Sequence, residues 1–142
     1  CAAVIAILKP ENNFLTIYGY IGIMIWILGF TLEVFADLQK NSFKKNQNTN
    51  KKFISTGLWS ISRHPNYFGE ITLWVGIYII SLSSFSGLDY LTIISPIFVY
   101  ILLTRMSGIN MLEKIADERY GHLDEYIEYK KNTPTLFLKL WK

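Results

Sequence analysis

Arg63, His64 and Glu70 belong to one octapeptide, RHPNYFGE at residues 63–70, which stands directly before an apolar stretch. A guanidinium, an imidazole and a carboxylate supply a cation, a proton-exchanging ring and a hydrogen-bond acceptor. Ionisable groups are costly at the boundary of a membrane unless they have partners. The octapeptide is therefore our first hypothesis for a functional site, although His64 alone would also suit an amphipathic position at an interface.

The octapeptide also carries signals for the start of a helix. Pro65 has a fixed φ and no amide hydrogen, which suits a first helical turn, so we expect a helix to begin near residues 64–66. Asn66 and Glu70 are four residues apart and share one helical face. Gly69 removes side-chain bulk beside them, which allows another helix or a flat ligand to approach.

Two further carboxylates lie upstream. Glu33 and Asp37 are also four residues apart, so both point to one side of a helix. They are either solvated at an interface or acceptors for ligand hydroxyls and for a basic residue across the bundle. Arg63 and Arg105 are the candidate partners.

Three uncharged stretches must position these residues. Residues 14–32 cover about 28 Å as a helix, close to the ~30 Å hydrocarbon core of a bilayer. Residues 71–88 form a second stretch, and residues 90–104 form a shorter third one that we interpret as the second arm of a helical hairpin. The sequence predicts an all-α fold, a multi-pass transmembrane bundle with spans at about 14–37, 66–86 and 89–105.

The beginning of the chain indicates a missing part. Residues 1–8 are apolar but too short to span a bilayer, and position 1 is not Met. We interpret residues 1–142 as a single membrane-embedded domain, the C-terminal part of a longer protein whose N-terminal helices are its partner. Cys1 as a lipid-bearing residue is the alternative. A single cysteine permits no internal disulfide.

The basic residues indicate a topology. With three spans, all lysines and arginines except Lys9 fall on one side, 13 of 14. The positive-inside rule then predicts a cytoplasmic loop at 39–66 and a cytoplasmic tail at 106–142. We expect an integral protein of a bacterial cytoplasmic membrane or of the endoplasmic reticulum. The net charge of +3 suits anionic headgroups, and nothing indicates nucleic-acid binding.

Residues 40–52 form a basic, Asn-rich linker. It is either a solvated loop or a source of lysines for a phosphate-bearing ligand. The sequence has no Walker loop and no Gly-x-Gly-x-x-Gly pattern, which disfavours a soluble nucleotide-binding domain. It also predicts no metal site, because His64 and His122 are far apart and Cys1 is the single cysteine.

Together these motifs resemble the steroid 5-alpha-reductase C-terminal family and its bacterial relatives of unassigned substrate. The resemblance covers about residue 29 to the C-terminus and centres on GLWSISRHPNYFGE, residues 57–70. It extends to Glu33-x-x-x-Asp37-x-Gln39, Arg105-x-x-Gly108-x-x-x-Leu112-Glu113, Glu118-Arg119-Tyr120, Tyr126 and Tyr129-Lys130-Lys131-Asn132-Thr133.

The resemblance implies an enzyme in which NADPH enters from the cytoplasm and delivers hydride to an activated C=C bond of a lipid or steroid-like substrate. The cofactor-binding residues that it implies are Glu33, Asp37, Arg63, His64, Asn66, Tyr67, Glu70, Arg105, Glu113, Tyr126 and Lys130. Arg105 would close the site from the last span. The proton donor stays unassigned, since the family takes it largely from N-terminal helices and Tyr67 is only a weak local substitute.

Apolar residues recur at helical spacing from residue 109 to 120, which predicts an amphipathic helix that ends near Gly121, and a second short helix is expected at about 123–130. This tail either packs on the membrane surface or forms a lid. As a lid, its Glu113, Tyr126 and Lys130 would close on the adenosine end of the cofactor.

Two other functions stay open. Isoprenylcysteine carboxyl methyltransferases also have an Arg-His-Pro-x-Tyr-x-Gly type turn and a Tyr-rich end, and their cofactor is S-adenosylmethionine. The Asn66 and Glu70 pair and the Glu33 and Asp37 pair fit the reductases better. A non-catalytic membrane protein is the other alternative, including a transporter with Glu33, Asp37 and Glu70 as a proton relay.

Overall fold

The computed structural model describes residues 16–45, 52–106 and 108–139, and its regular elements in these ranges are all helical. The α-helices are α1 (Ile17–Lys45), α2 (Pro65–Ser81), α3 (Ile94–Ile101), α4 (Ile109–Tyr120) and α5 (Asp124–Asn132). Short 3-10 segments occur at Gly57–Ser60, Leu82–Ser84 and Gly87–Ile93, and a π-helical segment at Leu102–Met106. The predicted all-α class is confirmed for this part of the chain.

Three helical runs are long and apolar enough to cross a membrane, namely Ile17–Lys45, Pro65–Ser84 and Gly87–Tyr120. They overlap the three predicted spans, and the second run ends at Ser84, two residues before the predicted end. Outside the described residues lie the apolar residues 1–8, Lys9 and the start of the first span at 14–15. The second span begins at Pro65, as the proline signal predicts.

One boundary prediction is wrong. The basic linker was expected from residue 40, but α1 remains helical through Lys45. No glycine or proline interrupts residues 38–45, and Lys44 and Lys45 in the last turn favour the negative end of the helix dipole. The first helix therefore continues about two turns beyond the end predicted for its span at residue 37. Residues 46–51 of the linker lie outside the described residues.

Small residues allow α1 and α2 to pack closely in antiparallel directions. Gly22 faces Gly76, and Gly29 faces Gly69. A Cβ atom built on Gly29 would lie 2.4 Å from the backbone nitrogen of Leu73, nearer than real Cβ atoms come. Backbone contact of this kind supports helix association in a membrane, where the hydrophobic effect between helices is weak.

The third run is not one regular helix. It starts as a 3-10 segment with a Ser86–Asp89 capping box, is α-helical over eight residues, and ends as the π-helical segment. Gly108 then lies so close to the carbonyl of Leu103 that a Cβ would stand 2.1 Å from its oxygen. Gly108 is the residue before α4, which is polar, unlike the apolar residues 89–105.

The tail helices confirm the prediction within a few residues. The amide of Gly121 donates to the carbonyl of Asp117 at 2.8 Å and ends α4, and Thr133 caps α5.

The outer face of α1 is apolar and exposed, as for Met24 at 72%. Such a face is typical of a helix that contacts lipid or other membrane helices.

Candidate functional site

The segment before α2 is fixed to the end of α1, and this places the octapeptide. The indole Nε1 of Trp59 donates to the carbonyl of Ala36 at 3.0 Å. The amide of Leu58 donates to Oε1 of Gln39 at 2.9 Å, and Gly57 adopts a φ of 64° beside the same side chain. The positive φ favours glycine at this turn. Arg63 and His64 consequently lie where α1 ends and α2 begins.

Glu113 is the centre of the ion-pair network at this place. Its Oε2 accepts a hydrogen bond from Nη1 of Arg63 at 2.5 Å, and its Oε1 is 2.9 Å from Nε2 of His64. The ammonium of Lys130 lies 3.8 Å from Oε2. The side chains of Glu113 and Arg63 are 18% and 11% exposed, so this pair is largely shielded from water. The network joins α4 and α5 to the first turn of α2.

Lys130 has a second partner that holds α5 against α4. Its ammonium donates to both carboxylate oxygens of Asp117, at 2.6 and 2.7 Å. The phenol of Tyr126 donates to Oδ1 of the same residue at 3.1 Å. Glu113 and Asp117 are one turn apart on α4, so one lysine and one tyrosine fix the α4–α5 corner.

The surroundings of Glu113, which lies beyond the apolar residues of the third run, decide its charge. Burial alone raises the pKa of Glu113, but the hydrogen bond with His64 and the charges of Arg63 and Lys130 outweigh burial. The pKa of Glu113 is therefore below its ordinary value, and the group is a carboxylate near neutral pH. Burial raises the pKa of the Tyr126 phenol, and the hydrogen bond to Asp117 adds to this rise.

A cavity of about 370 Å³ opens beside the network, within the range of ~300–1,000 Å³ that ligand pockets typically have. Five cationic side chains line it, with Glu113 as their one carboxylate counterpart among the described lining residues. These cations are Lys40, Lys44, Lys52, Arg63 and Arg119. The potential in the cavity is positive, which favours an anionic ligand.

Aromatic rings form the other wall of the cavity. The ring of Phe53 lies 5.3–5.8 Å from the rings of Tyr120, Tyr126 and Tyr129. The phenol of Tyr129 donates to the carbonyl of Trp59 at 2.6 Å. Aromatic faces beside cationic groups suit a ligand with both a flat ring and negative charge.

A second polar group lies between α1 and α2. Nδ2 of Asn66 donates to Oδ1 of Asp37 at 3.2 Å. Oδ1 of Asn66 is buried and accepts no hydrogen bond from the described residues. The backbone of Gly69 packs against that of Glu33, which brings Glu33 and Glu70 to the same helix contact. The predicted partners of the carboxylates were Arg63 and Arg105, but the partner that the structure gives Asp37 is Asn66.

Tyr67 links the two groups. Its ring stacks on the imidazole of His64, with ring centres 5.6 Å apart and an angle of 12° between the planes. His64 lines the cavity, and Tyr67 follows Asn66 in the first turn of α2. Tyr67 therefore lies beside both His64 of the cavity and Asn66 of the second polar group.

The predicted site residues divide into three sets. The first set lines the cavity and contains Arg63, His64, Glu113 and Tyr126; Lys130 does not line the cavity but lies 3.8 Å from Glu113. The set between α1 and α2 contains Glu33, Asp37, Asn66, Tyr67 and Glu70. Arg105 belongs to neither, since it is exposed on the π-helical segment and is absent from the cavity lining.

The cavity also contains residues that no site prediction included. Phe53, Trp59 and Arg119 line it, together with Tyr120 and Tyr129. All of these except Phe53 were part of the family resemblance, but spacing alone gave no reason to bring Tyr120 and Tyr129 to Phe53. Among the described residues, no group of three or more His, Cys, Asp or Glu is placed to hold a metal ion.

Three helices long and apolar enough to cross a membrane, with a cation-rich cavity beside the start of α2, are typical of helical membrane proteins. The chain belongs to the family described as "Protein of unknown function (DUF1295)", which matches residues 1–133. Comparison with curated proteins gives no match, and comparison with solved structures gives none either.

Proposed function

We propose that this protein is a membrane-bound reductase that uses NADPH to reduce an activated C=C bond of a lipid or steroid-like substrate. In that reaction the hydride from NADPH goes to one carbon of the double bond and a proton goes to the other, which leaves NADP⁺. The observation that carries the proposal is the cavity beside Arg63 and His64, which combines an excess of cations with an aromatic wall.

The charges of the cavity fit a ligand with several phosphate groups. Glu113 neutralises one cation at most, while Lys40, Lys44, Lys52 and Arg119 add four more. A diphosphate supplies part of the complementary charge, and a phosphomonoester alone carries about −1.5 to −2. The adenine ring of the cofactor would have the rings of Phe53 and Tyr120 available for stacking.

The group between α1 and α2 fits the other end of the same cofactor. In this proposal the nicotinamide end passes His64 and Tyr67 and reaches Asn66, whose unpartnered Oδ1 is an acceptor for a carboxamide or ribose donor. Asp37 and Glu33 provide further acceptors for ribose hydroxyls. The resemblance of residues 57–70 to the steroid 5-alpha-reductases supports the same orientation, with the cavity on the cytoplasmic side.

S-adenosylmethionine is the second candidate cofactor, because the tyrosine rings and the carboxylate of Glu113 could surround its sulfonium cation. The excess of lysine and arginine makes that ligand less favourable than a polyanion. A transporter or scaffold with no cofactor is the third candidate, based on the carboxylates between α1 and α2.

The test is a titration of the purified protein in detergent with NADPH and, separately, with S-adenosylmethionine. Trp59 lines the cavity, so quenching of tryptophan fluorescence should report binding there. We expect saturable binding of NADPH that Arg119→Gln weakens by about tenfold, as for the loss of one charged contact. Lys114→Gln is the matched control, since Lys114 is exposed on the same helix and is absent from the cavity lining.

Asn66→Ala separates the two ends of the cofactor. We expect it to weaken binding of NADPH but not of 2′,5′-ADP, which lacks the nicotinamide end. Binding of S-adenosylmethionine alone would support the methyltransferase instead. Binding of neither cofactor, or equal effects of Arg119→Gln and Lys114→Gln, would refute the proposed reductase site.

A further inference from the structure

The segment after α5 returns to the start of the octapeptide and forms a strap, which we define as residues 134–139. The amide of Lys139 donates to the carbonyl of Ile61 at 2.8 Å. The hydroxyl of Ser62 donates to the carbonyl of Leu136 at 2.9 Å, and both side chains are buried. The strap thus binds a segment that is more than 70 residues distant in the sequence.

The strap holds both the backbone and the side chain of Arg63. The amide of Arg63 donates to the carbonyl of Pro134 at 2.9 Å. Its Nη2 donates to the hydroxyl oxygen of Thr135, while Nη1 donates to Glu113. Two groups on different segments therefore fix the plane of one guanidinium at the cavity wall.

Fixing the plane of the Arg63 guanidinium affects ligand binding because an arginine side chain is otherwise mobile. A free arginine side chain populates many rotamers, and ordering it when a ligand binds costs entropy. A guanidinium that is already oriented loses less freedom and binds the oxygens of a phosphate group with defined geometry. The strap starts one residue after the part of the chain that the family match covers, residues 1–133.

We propose that the strap preorganises Arg63 for the phosphates of the ligand and that Thr135 is a positioning residue for this arginine. The proposal rests on the proposed function for the identity of the ligand. It assigns to Thr135 no contact with the ligand itself. The effect of Thr135 on binding must therefore pass through Arg63.

A double-mutant cycle in the full-length protein tests this path. Thr135→Val removes the acceptor oxygen and keeps the shape of the side chain, and we expect it to weaken NADPH binding by about three- to tenfold. Thr135→Ser keeps the hydroxyl and should restore most of the affinity. In an Arg63→Lys background, Thr135→Val should have no further effect, since lysine lacks the Nη2 group that Thr135 holds. An equal loss in both backgrounds, or no loss in either, refutes Thr135 as a positioning residue.

A second measurement concerns the strap without any cofactor. Leu136 is 7% exposed, so Leu136→Asp should expel the strap, whereas Phe137 is 66% exposed and Phe137→Asp is the matched control. We expect amide hydrogen exchange at Arg63 to become at least about tenfold faster in Leu136→Asp only. Unchanged exchange there refutes the strap. If exchange at Arg63 is faster in Leu136→Asp but the wild-type protein binds no NADPH, the strap is supported and the reductase is refuted. Failure of the strap and failure of the proposed function therefore give different results.

Discussion

Glu113→Gln should detach the tail helices from the octapeptide. The substitution keeps the size of the side chain and removes the charge that faces Arg63 at 2.5 Å, His64 at 2.9 Å and Lys130 at 3.8 Å. It leaves a largely buried guanidinium without its carboxylate, and Nε of Arg63 is already buried without a partner among the described residues. Removing one partner of a buried ion pair lowers the folding stability by more than the intact pair contributes, because the other charge stays buried without a partner.

The magnitude follows from the burial of the two partners. Exposed ion pairs contribute about 0–1 kcal/mol, whereas removing one partner of a buried pair costs about 3–5 kcal/mol. Arg63 and Glu113 are 11% and 18% exposed, and glutamine can still accept one hydrogen bond. We therefore expect a loss of about 2–3 kcal/mol in the free energy that holds α4 and α5 in place.

Amide hydrogen exchange in α4 and α5 is the suitable assay, because the membrane helices dominate any global unfolding signal. Glu118→Gln is the control, since Glu118 is exposed on the same helix. The pKa of Glu113 is lowered in the folded protein, so its stabilisation is complete above its ordinary pKa of about 4.3 and is lost as pH falls below it. Equal protection in Glu113→Gln and Glu118→Gln at neutral pH would refute this reasoning.

Two other predictions concern the packing of the bundle and the aromatic wall. Gly29→Val should separate α1 from α2 and cost about 1–3 kcal/mol in detergent-induced unfolding, because even a Cβ would stand 2.4 Å from the backbone of Leu73; an equal effect of Met24→Val at an exposed position would contradict this. Burial raises the pKa of the Tyr129 phenol, so the stabilisation from its neutral form is complete below about pH 10 and is lost as pH rises further. Hydrogen exchange near Trp59 should thus rise more steeply with alkaline pH in the wild type than in Tyr129→Phe, and parallel profiles would show that the phenol has no such role.

The helices were predictable because their signals are local. The apolar stretches are long enough to span a bilayer, and Pro65 and Gly121 mark helix ends by the backbone geometry that each residue permits. The helical residues 40–45 were missed because a run of lysines and asparagine suggested a loop. Leu58 and Trp59 contact α1 through Gln39 and Ala36, just before these residues, and the ammonium of Lys40 lies 5.3 Å from the centre of the Trp59 ring.

The candidate site was predictable only in part. The octapeptide indicated Arg63 and His64 as site residues, but both join Glu113, which is about 50 residues distant in the sequence. The pairing of Asp37 with Asn66 instead of an arginine depends on the register of α1 against α2, which the glycine contacts set. Arg105 was included because of the family resemblance, whereas in the structure it is exposed on the π-helical segment and does not line the cavity.

By itself, the sequence determined the helical class, the number of apolar runs and the octapeptide as the place of polar chemistry. Each of these depends on side-chain type and on spacing within a few residues, which act through local backbone preference and transfer to an apolar phase. Tertiary structure alone decided which distant groups meet. Phe53 contacts three tyrosines, and the strap contacts Arg63, because the α4–α5 corner packs against the start of α2. These contacts join segments that are far apart in the sequence, and no local sequence pattern signals such a contact.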